Sequence, residues 1–95
     1  MKVRYTPRAR GDLAAIYAYL DERSPNGARA VKARVERRIA RLAEFPFVAP
    51  VTEVPGVYEL TLLRYPYKIY YRVEQDEIWV LHIRHAARPS WRNDP

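Results

Sequence analysis

The side chains best suited to chemistry are the cations and histidines in the last third of the chain. Lys68, Arg72 and Arg84 fall in β-rich segments, where their charges could form one phosphate-binding patch. His82 and His85 could accept or donate a proton near neutral pH. Strands also carry such cations as solvated or cross-strand paired residues. We interpret both histidines as structural, with catalysis by His85 as the alternative.

A metal site is not expected from this sequence. The chain has no cysteine. His82 and His85 lie three residues apart in a strand-like segment, so their side chains point to opposite faces, and no carboxylate pair is spaced to join them. We expect neither a metal nor a cofactor.

A second candidate is a stripe of arginines at helical spacing. The chain carries 17 basic and 11 acidic residues, for a net charge of +6. Such a charge favours RNA, DNA, an acidic protein or a membrane surface as a partner, and does not choose among them. The stripe could equally be a solvated helix face whose arginines pair with Glu36 and Glu44. Ion pairs of that kind on a helix surface stabilise a fold little. Its members are Arg34, Arg37, Arg38 and Arg41.

The elements that would position these groups begin with a short strand, Lys2–Tyr5, and a helix. Thr6 is a predicted N-cap, and Pro7 suits the first helical position. We expect this helix to end near Glu22 or Arg23. Its apolar stripe consists of Ala9, Leu13, Ile16, Tyr17 and Leu20.

A longer helix is predicted from about Pro25 to Phe45, after a turn in which Ser24 can serve as the cap. Pro46 prevents its continuation. The two helices should form an antiparallel hairpin. The inward residues of the second helix are Ala28, Val31, Val35, Ile39 and Leu42.

Strand-like periodicity follows a proline-rich loop and predicts a three-stranded meander. The predicted strands are Val57–Leu63, Tyr67–Glu74 and Glu77–Arg84, with a turn at Gln75-Asp76. The predicted register pairs Val73 with Ile78, Tyr71 with Val80 and Ile69 with His82. The opposite face would then carry Tyr70, Trp79, Leu81 and Ile83, which suggests that a partner or the C-terminal segment covers it.

The predicted architecture is therefore α+β: a strand, a helical hairpin and a three-stranded antiparallel meander. A chain of 95 residues suits one domain, residues 1–95. The N-terminus has no apolar region of a signal peptide, and no apolar run could span a membrane. We expect a cytoplasmic protein that does not enter membranes.

Three segments of this chain resemble the RelE/ParE superfamily of toxins from type II toxin–antitoxin systems. They occur in the family's order and span nearly the whole chain. The final one is similar to a ParE-type ending, in which a strand is followed by His, a small residue, Ala and Arg. The segments are Tyr5–Ala9 with Asp12, Leu13 and Ile16; Tyr67–Val73; and Val80–Arg88.

The resemblance implies a complex with a cognate antitoxin, whose helix and acidic C-terminal tail would lie across the helical hairpin and the sheet. Operator DNA would be bound only through the antitoxin. The residues expected at the antitoxin or target interface are Leu13, Tyr17, Arg34, Arg37, Arg38, Arg41, Tyr70, Trp79, Leu81 and Trp91.

The branches of this superfamily imply different activities. ParE-like members inhibit DNA gyrase by binding, and we favour this branch because Ala86 and Ala87 stand where an acid or base would be expected in the nucleases. The alternative is a RelE-like, ribosome-dependent mRNA endonuclease. Its general acid–base site would use Lys68, Arg72, Arg84, His85 and Arg88. A third reading is a non-toxic relative that retains antitoxin binding or binds nucleic acid.

Overall fold

Two capped helices follow the first strand. In the computed structural model, which describes residues 1–86, the elements are β1 Lys2–Tyr5, α1 Pro7–Arg23 and α2 Pro25–Glu44. Thr6 Oγ1 accepts a hydrogen bond from the Ala9 backbone N–H at 3.0 Å, and Ser24 Oγ accepts one from Gly27 at 3.0 Å. Each cap precedes a proline, which has no N–H to leave unpaired. The predicted helices are confirmed to within one residue at each end.

Three further strands complete a four-stranded mixed sheet. They are β2 Tyr58–Thr61, β3 Tyr67–Glu74 and β4 Glu77–His85. The strand order is β1-β4-β3-β2, with β1 parallel to β4 and the other pairs antiparallel. This confirms the α+β class, the helical hairpin and the meander. It also places β1 beside β4, and β2 is shorter than the predicted Val57–Leu63 segment.

The helices cover one face of the sheet and form the core with it. All five predicted inward residues of α2 are buried, whereas in α1 only Ala9 is fully buried and the rest of its stripe packs half-exposed against the core. The strands contribute alternate residues to the same core, because side chains alternate between sheet faces. Among residues 1–86, no helix is long and apolar enough to cross a membrane.

A β-bulge at Leu81 alters the predicted register. Tyr71 pairs with Val80 as predicted, but Tyr70 pairs with His82, so Leu81 is the extra residue. The predicted pairing of Ile69 with His82 is therefore wrong, and Ile69 pairs with Ile83. The same bulge makes the predicted face of Ile83 wrong. Ile83 was expected on the face with Tyr70, but it belongs to the core under the helices.

Hydrogen bonds connect the start of α1 to this bulge. Thr6 Oγ1 donates a hydrogen bond to the Leu81 carbonyl at 2.6 Å, and the Thr6 N–H donates to the Val80 carbonyl at 3.1 Å. Beyond the bulge, the Asp12 carboxylate accepts a hydrogen bond from the Ile83 N–H at 3.0 Å. The extra residue thus presents backbone groups of β4 to α1, and this contact sets the position of the hairpin on the sheet.

Two tyrosines in and beside the core predict that the fold loses stability at alkaline pH. Burial raises the pKa of Tyr71 to about 12. Burial, and after it the Glu36 carboxylate, raises the pKa of Tyr17 to about 12. In the unfolded chain both ionise near pH 10. Their contribution to stability is therefore complete below pH 10 and is lost as the pH rises toward 12, because only the unfolded state releases their protons in that window.

We expect urea unfolding to show a falling free energy of unfolding between pH 10 and pH 12, with a shallower fall in Tyr71→Phe. The phenylalanine variant removes the ionising hydroxyl of Tyr71 and keeps the ring in the core. A free energy that is constant across this pH range in the wild-type chain would contradict the assignment.

Candidate functional site

The cations of the predicted phosphate-binding patch lie on the sheet face away from the helices. Lys68 and Arg84 are cross-strand partners in β3 and β4. Lys68 Nζ lies 3.3 Å from Glu59 Oε2, so a carboxylate from β2 already balances its charge. Arg84 is only 5% exposed, and Arg72, farther along β3, is half-buried. These cations share one sheet face, but a neighbouring acid and burial leave little cationic surface there for a phosphate.

The two histidines take different positions. His82 is buried on the same face as Lys68 and stacks on Tyr70, with ring centroids 4.7 Å apart. His85 is exposed at the end of β4 and meets the edge of the Tyr67 ring at 5.6 Å. Because Tyr67 belongs to the core, His85 lies on the helix-covered face of the sheet.

The candidate acid–base residues are thus divided between two faces of the sheet. The cations Lys68 and Arg84 are on one face and His85 is on the other. General acid–base cleavage of RNA requires its proton donor, its proton acceptor and its charge-stabilising cations around one phosphate. Lys68 and His85 therefore lie on opposite sheet faces, whereas Arg84 and His85 both line the groove between α1 and the ends of β3 and β4. Arg88 lies outside the described residues.

The arginine stripe of α2 is partly exposed to solvent. Arg37 and Arg41 are exposed, whereas Arg34 and Arg38 are half-buried. The Arg41 guanidinium lies over the Phe45 ring, 5.3 Å from its centroid. This contact holds the cation beside an apolar surface at the end of the helix, which suits a partner that carries both acidic and apolar groups.

The remaining predicted interface residues are placed unevenly. Leu13 and Tyr17 pack against the core and are half-buried. Tyr70 is buried, and Trp79 and Leu81 are half-buried. Trp91 lies outside the described residues. Among residues 1–86, every predicted apolar interface residue is therefore buried or half-buried.

Two grooves were not anticipated from the sequence. The first, called here the α2-end groove, has a volume of about 680 Å³ and lies between the end of α2, the loop that follows it and β2. The second, called the α1 groove, has a volume of about 1000 Å³ and runs between α1 and the ends of β3 and β4, where Tyr19, Tyr67 and His85 line it. The sequence feature that could have indicated the first is Phe45-Pro46-Phe47-Val48, an apolar run in a predicted loop.

No metal site is found in the part of the chain that the structure describes. No group of three His, Asp or Glu side chains there could hold a metal ion. The acidic side chains near the cations instead form ion pairs, as Glu59 does with Lys68 and Glu77 with Arg4.

Comparison with known proteins identifies relatives of this chain. Residues 3–89 match the model of the ParE toxin of the type II toxin–antitoxin system parDE. A Sinorhizobium fredii protein, Y4kP, is 34% identical over 90% of this chain and 88% of its own length. Toxin RelE2 of Caulobacter vibrioides is 34% identical over 92% of this chain and 97% of its own length.

A solved structure shows the same fold. A chain of the chromosomal ParDE toxin–antitoxin system from P. aeruginosa superposes with a TM-score of 0.78 and 31% identity. The match covers 90% of this chain and 95% of that chain. The likeness therefore extends over the helical hairpin and the sheet together.

Proposed function

This chain belongs to the ParE toxin family of type II toxin–antitoxin systems, and from that premise we propose that it inhibits DNA gyrase by binding and is neutralised by a cognate antitoxin. The observation that carries the proposal is the position of Lys68 and His85 on opposite faces of the sheet, because acid–base cleavage of RNA would need both at one phosphate. A binding inhibitor needs a shaped surface and no converging acid and base. The fold offers two grooves and a basic helix face for that purpose.

The partner relation follows from the family and from the charge. The P. aeruginosa relative is part of a ParDE toxin–antitoxin system, and this chain carries a net charge of +6. An antitoxin with an acidic segment would be drawn to such a surface and would associate faster at low ionic strength. Operator DNA would be reached through the antitoxin, which neutralises this charge within the complex.

The second candidate function is a ribosome-dependent mRNA endonuclease. One observation favours it: Lys68 and Arg84 are adjacent on one sheet face, as a phosphate clamp would require. The name of the Caulobacter relative, toxin RelE2, points to the same branch. In this function Lys68 would stabilise charge on the cleaved phosphate, and its loss would reduce the rate strongly.

The Lys68→Ala variant separates these two functions. As part of a binding surface, a half-exposed lysine in an ion pair contributes little, so we expect gyrase inhibition within about fivefold of wild type. Lys32→Ala is the matched control, because Lys32 is exposed on α2 and its loss changes the net charge equally. The measurement is supercoiling of relaxed plasmid by purified gyrase, with toxin titrated from nanomolar to micromolar concentrations.

Parallel reactions with ribosomes and mRNA complete the test. The wild-type chain should leave mRNA intact. Cleavage by the wild type that falls by about a hundredfold in Lys68→Ala, but not in Lys32→Ala, would replace the gyrase proposal with the endonuclease.

A further inference from the structure

The α1 groove combines buried apolar side chains with exposed tyrosine. Val31 of α2 and Ile83 of β4 line it, and both are buried in the core. Tyr19 of α1 and Tyr65, which precedes β3, line it as well. Tyr19 is 54% exposed, so an aromatic side chain faces solvent beside the apolar residues. Tyrosine is enriched in protein interfaces and among the residues that contribute most to binding there.

Hydrogen bonds hold the walls of the α1 groove in place. The Ala86 N–H donates to the Pro66 carbonyl at 2.6 Å, which ties the end of β4 to the residue before β3. The Asp12 carboxylate accepts a hydrogen bond from the Ile83 N–H at 3.0 Å, which joins α1 to β4. The groove is therefore preformed, and binding avoids the ordering cost that a mobile wall would add.

The aromatic rings of the groove are poorly placed for stacking with nucleic-acid bases. The Arg23 guanidinium covers one face of the Tyr19 ring, 3.6 Å from its centroid. Tyr67 is 7% exposed, and the His85 ring meets its edge. Recognition of single-stranded nucleic acid uses exposed ring faces. A protein segment can instead pack against the ring edges and bond to the phenol hydroxyls, which favours a protein as the occupant.

The charges around the groove favour an acidic segment. Arg8 lines the groove, and Arg23 lies over Tyr19; both arginines are exposed on α1. Asp12 is the acidic residue among the lining side chains, and its carboxylate already accepts the Ile83 N–H. A second copy of this chain would bring a further charge of +6 toward these arginines. An acidic partner is attracted by the same surface.

The α1 groove and the α2-end groove lie at opposite ends of α2. Gly27 and Val31 line the first, and Arg38 and Arg41 line the second. Val31 and Arg41 lie about 15 Å apart along the helix axis. The α1 groove is therefore a separate surface, which a partner can bind without covering the other end of the helix.

Polar side chains make the α1 groove suited to a partner that is bound only part of the time. Tyrosine hydroxyls, an imidazole and charged groups line it beside the apolar residues. Permanent interfaces are more apolar, whereas interfaces with non-obligate partners are about as polar as ordinary protein surface. A target enzyme that meets the toxin only when the toxin is free is a non-obligate partner.

We propose that the α1 groove is the surface that binds DNA gyrase, through an exposed acidic segment of the enzyme that carries a large apolar side chain. The carboxylates of that segment would meet Arg8 and Arg23, and its apolar side chain would pack against Ile16 and Tyr19. The inference rests on the proposed inhibition of gyrase, and it assigns that inhibition to residues other than Lys68.

Two groove variants and two matched controls test this assignment. Ala15→Glu places a carboxylate in the groove, and Ala14→Glu makes the same change at an exposed residue of α1 that does not line it. Arg8→Ala removes a lining cation, and Arg10→Ala removes an exposed cation from the same turn of α1. All four residues are exposed, so the thermal unfolding midpoint of each variant should stay within a few degrees of wild type.

The measurement is supercoiling of relaxed plasmid by purified gyrase while each variant is titrated. We expect Ala15→Glu and Arg8→Ala to raise the concentration for half-inhibition by about tenfold or more, and the controls by less than about threefold. Equal effects within each pair, or none in any variant, would overturn the assignment.

Binding measurements with the same variants identify other occupants. Groove variants that weaken binding of the cognate antitoxin but leave gyrase inhibition unchanged would overturn the assignment, by making the antitoxin the occupant. A wild-type dimer in sedimentation that Ala15→Glu dissociates would overturn it in favour of a second copy. Plasmid binding in the absence of gyrase that Arg8→Ala abolishes, but Arg10→Ala does not, would overturn it in favour of DNA.

The wild-type titration separates this inference from the proposed function. Supercoiling that stays unchanged at micromolar wild-type toxin would reject the gyrase target, and the assignment of the groove with it. Inhibition by the wild type that both groove variants retain in full would reject the groove and keep the target.

Discussion

Leu42→Ala should lower the free energy of unfolding by about 3–4 kcal/mol, the largest effect expected from a single substitution described for this chain. Leu42 is 1% exposed and packs between α2 and the sheet. Its truncation leaves a cavity beside the loop after α2, whose Pro46 carbonyl accepts a hydrogen bond from the Tyr71 hydroxyl at 2.8 Å. In a domain of this size, the unfolding temperature should fall by roughly 12–32 °C.

Urea or thermal unfolding followed by circular dichroism measures this loss. Leu63→Ala is the matched control, because the same side chain is truncated at a position that is 60% exposed. It should change the stability by less than about 0.5 kcal/mol. Similar losses in both variants would contradict the assignment of Leu42 to the core.

Asp12→Ala should cost about 2–3 kcal/mol, because it leaves the Ile83 N–H without its charged acceptor in a buried part of β4. The hydrogen bond is 3.0 Å long and joins α1 to the strand just beyond the bulge. Asp12→Asn should recover part of the loss, since the amide retains an acceptor oxygen.

The control for this prediction is Asp21→Ala, an exposed carboxylate on the same helix. It should alter the free energy of unfolding by no more than about 0.5 kcal/mol. Amide hydrogen exchange at Ile83 adds a local measurement: the amide should exchange faster in Asp12→Ala and keep its wild-type protection in Asp21→Ala. Unchanged protection in Asp12→Ala would show that the carboxylate does not hold this strand.

Local sequence chemistry predicts most of the elements, because caps and turns depend on neighbouring residues. Thr6 and Ser24 cap the two helices as expected. The turn at Gln75 and Asp76 has positive φ at both residues, 47° and 62°, which suits a tight two-residue hairpin. At the caps the residue types and the backbone conformation agree, whereas Gln75 takes a positive φ that Gly or Asn would favour.

The bulge at Leu81 could not be read from periodicity, because it depends on a partner 75 residues away. The Leu81 carbonyl accepts its hydrogen bond from Thr6, and β1 pairs with the same strand. An alternating pattern counts residues and cannot reveal that one of them is left out of the ladder. Because Leu81 is extra, Ile83 lies on the sheet face opposite to the predicted one.

The α2-end groove escaped prediction for a related reason. Its floor joins Leu42 of a helix to Leu60 of a strand, and its wall lies in a loop whose prolines indicated only irregular structure. Tyr70 and Leu81 are predicted interface residues because the sequence pattern places apolar residues there, on the sheet face that the helices leave uncovered. Tyr70 proved buried, whereas exposed apolar surface occurs at Phe47 and Val48.

The most direct test of the binding-inhibitor account is induction of this chain alone in a bacterial host, with plasmid topology and mRNA integrity measured in the same culture. Reporter plasmid should lose negative supercoiling, while primer extension on abundant transcripts shows no new 5′ ends. Co-expression of the antitoxin should restore supercoiling. Cleaved transcripts with normal plasmid topology would contradict the account and make Lys68, Arg84 and His85 the residues to mutate next.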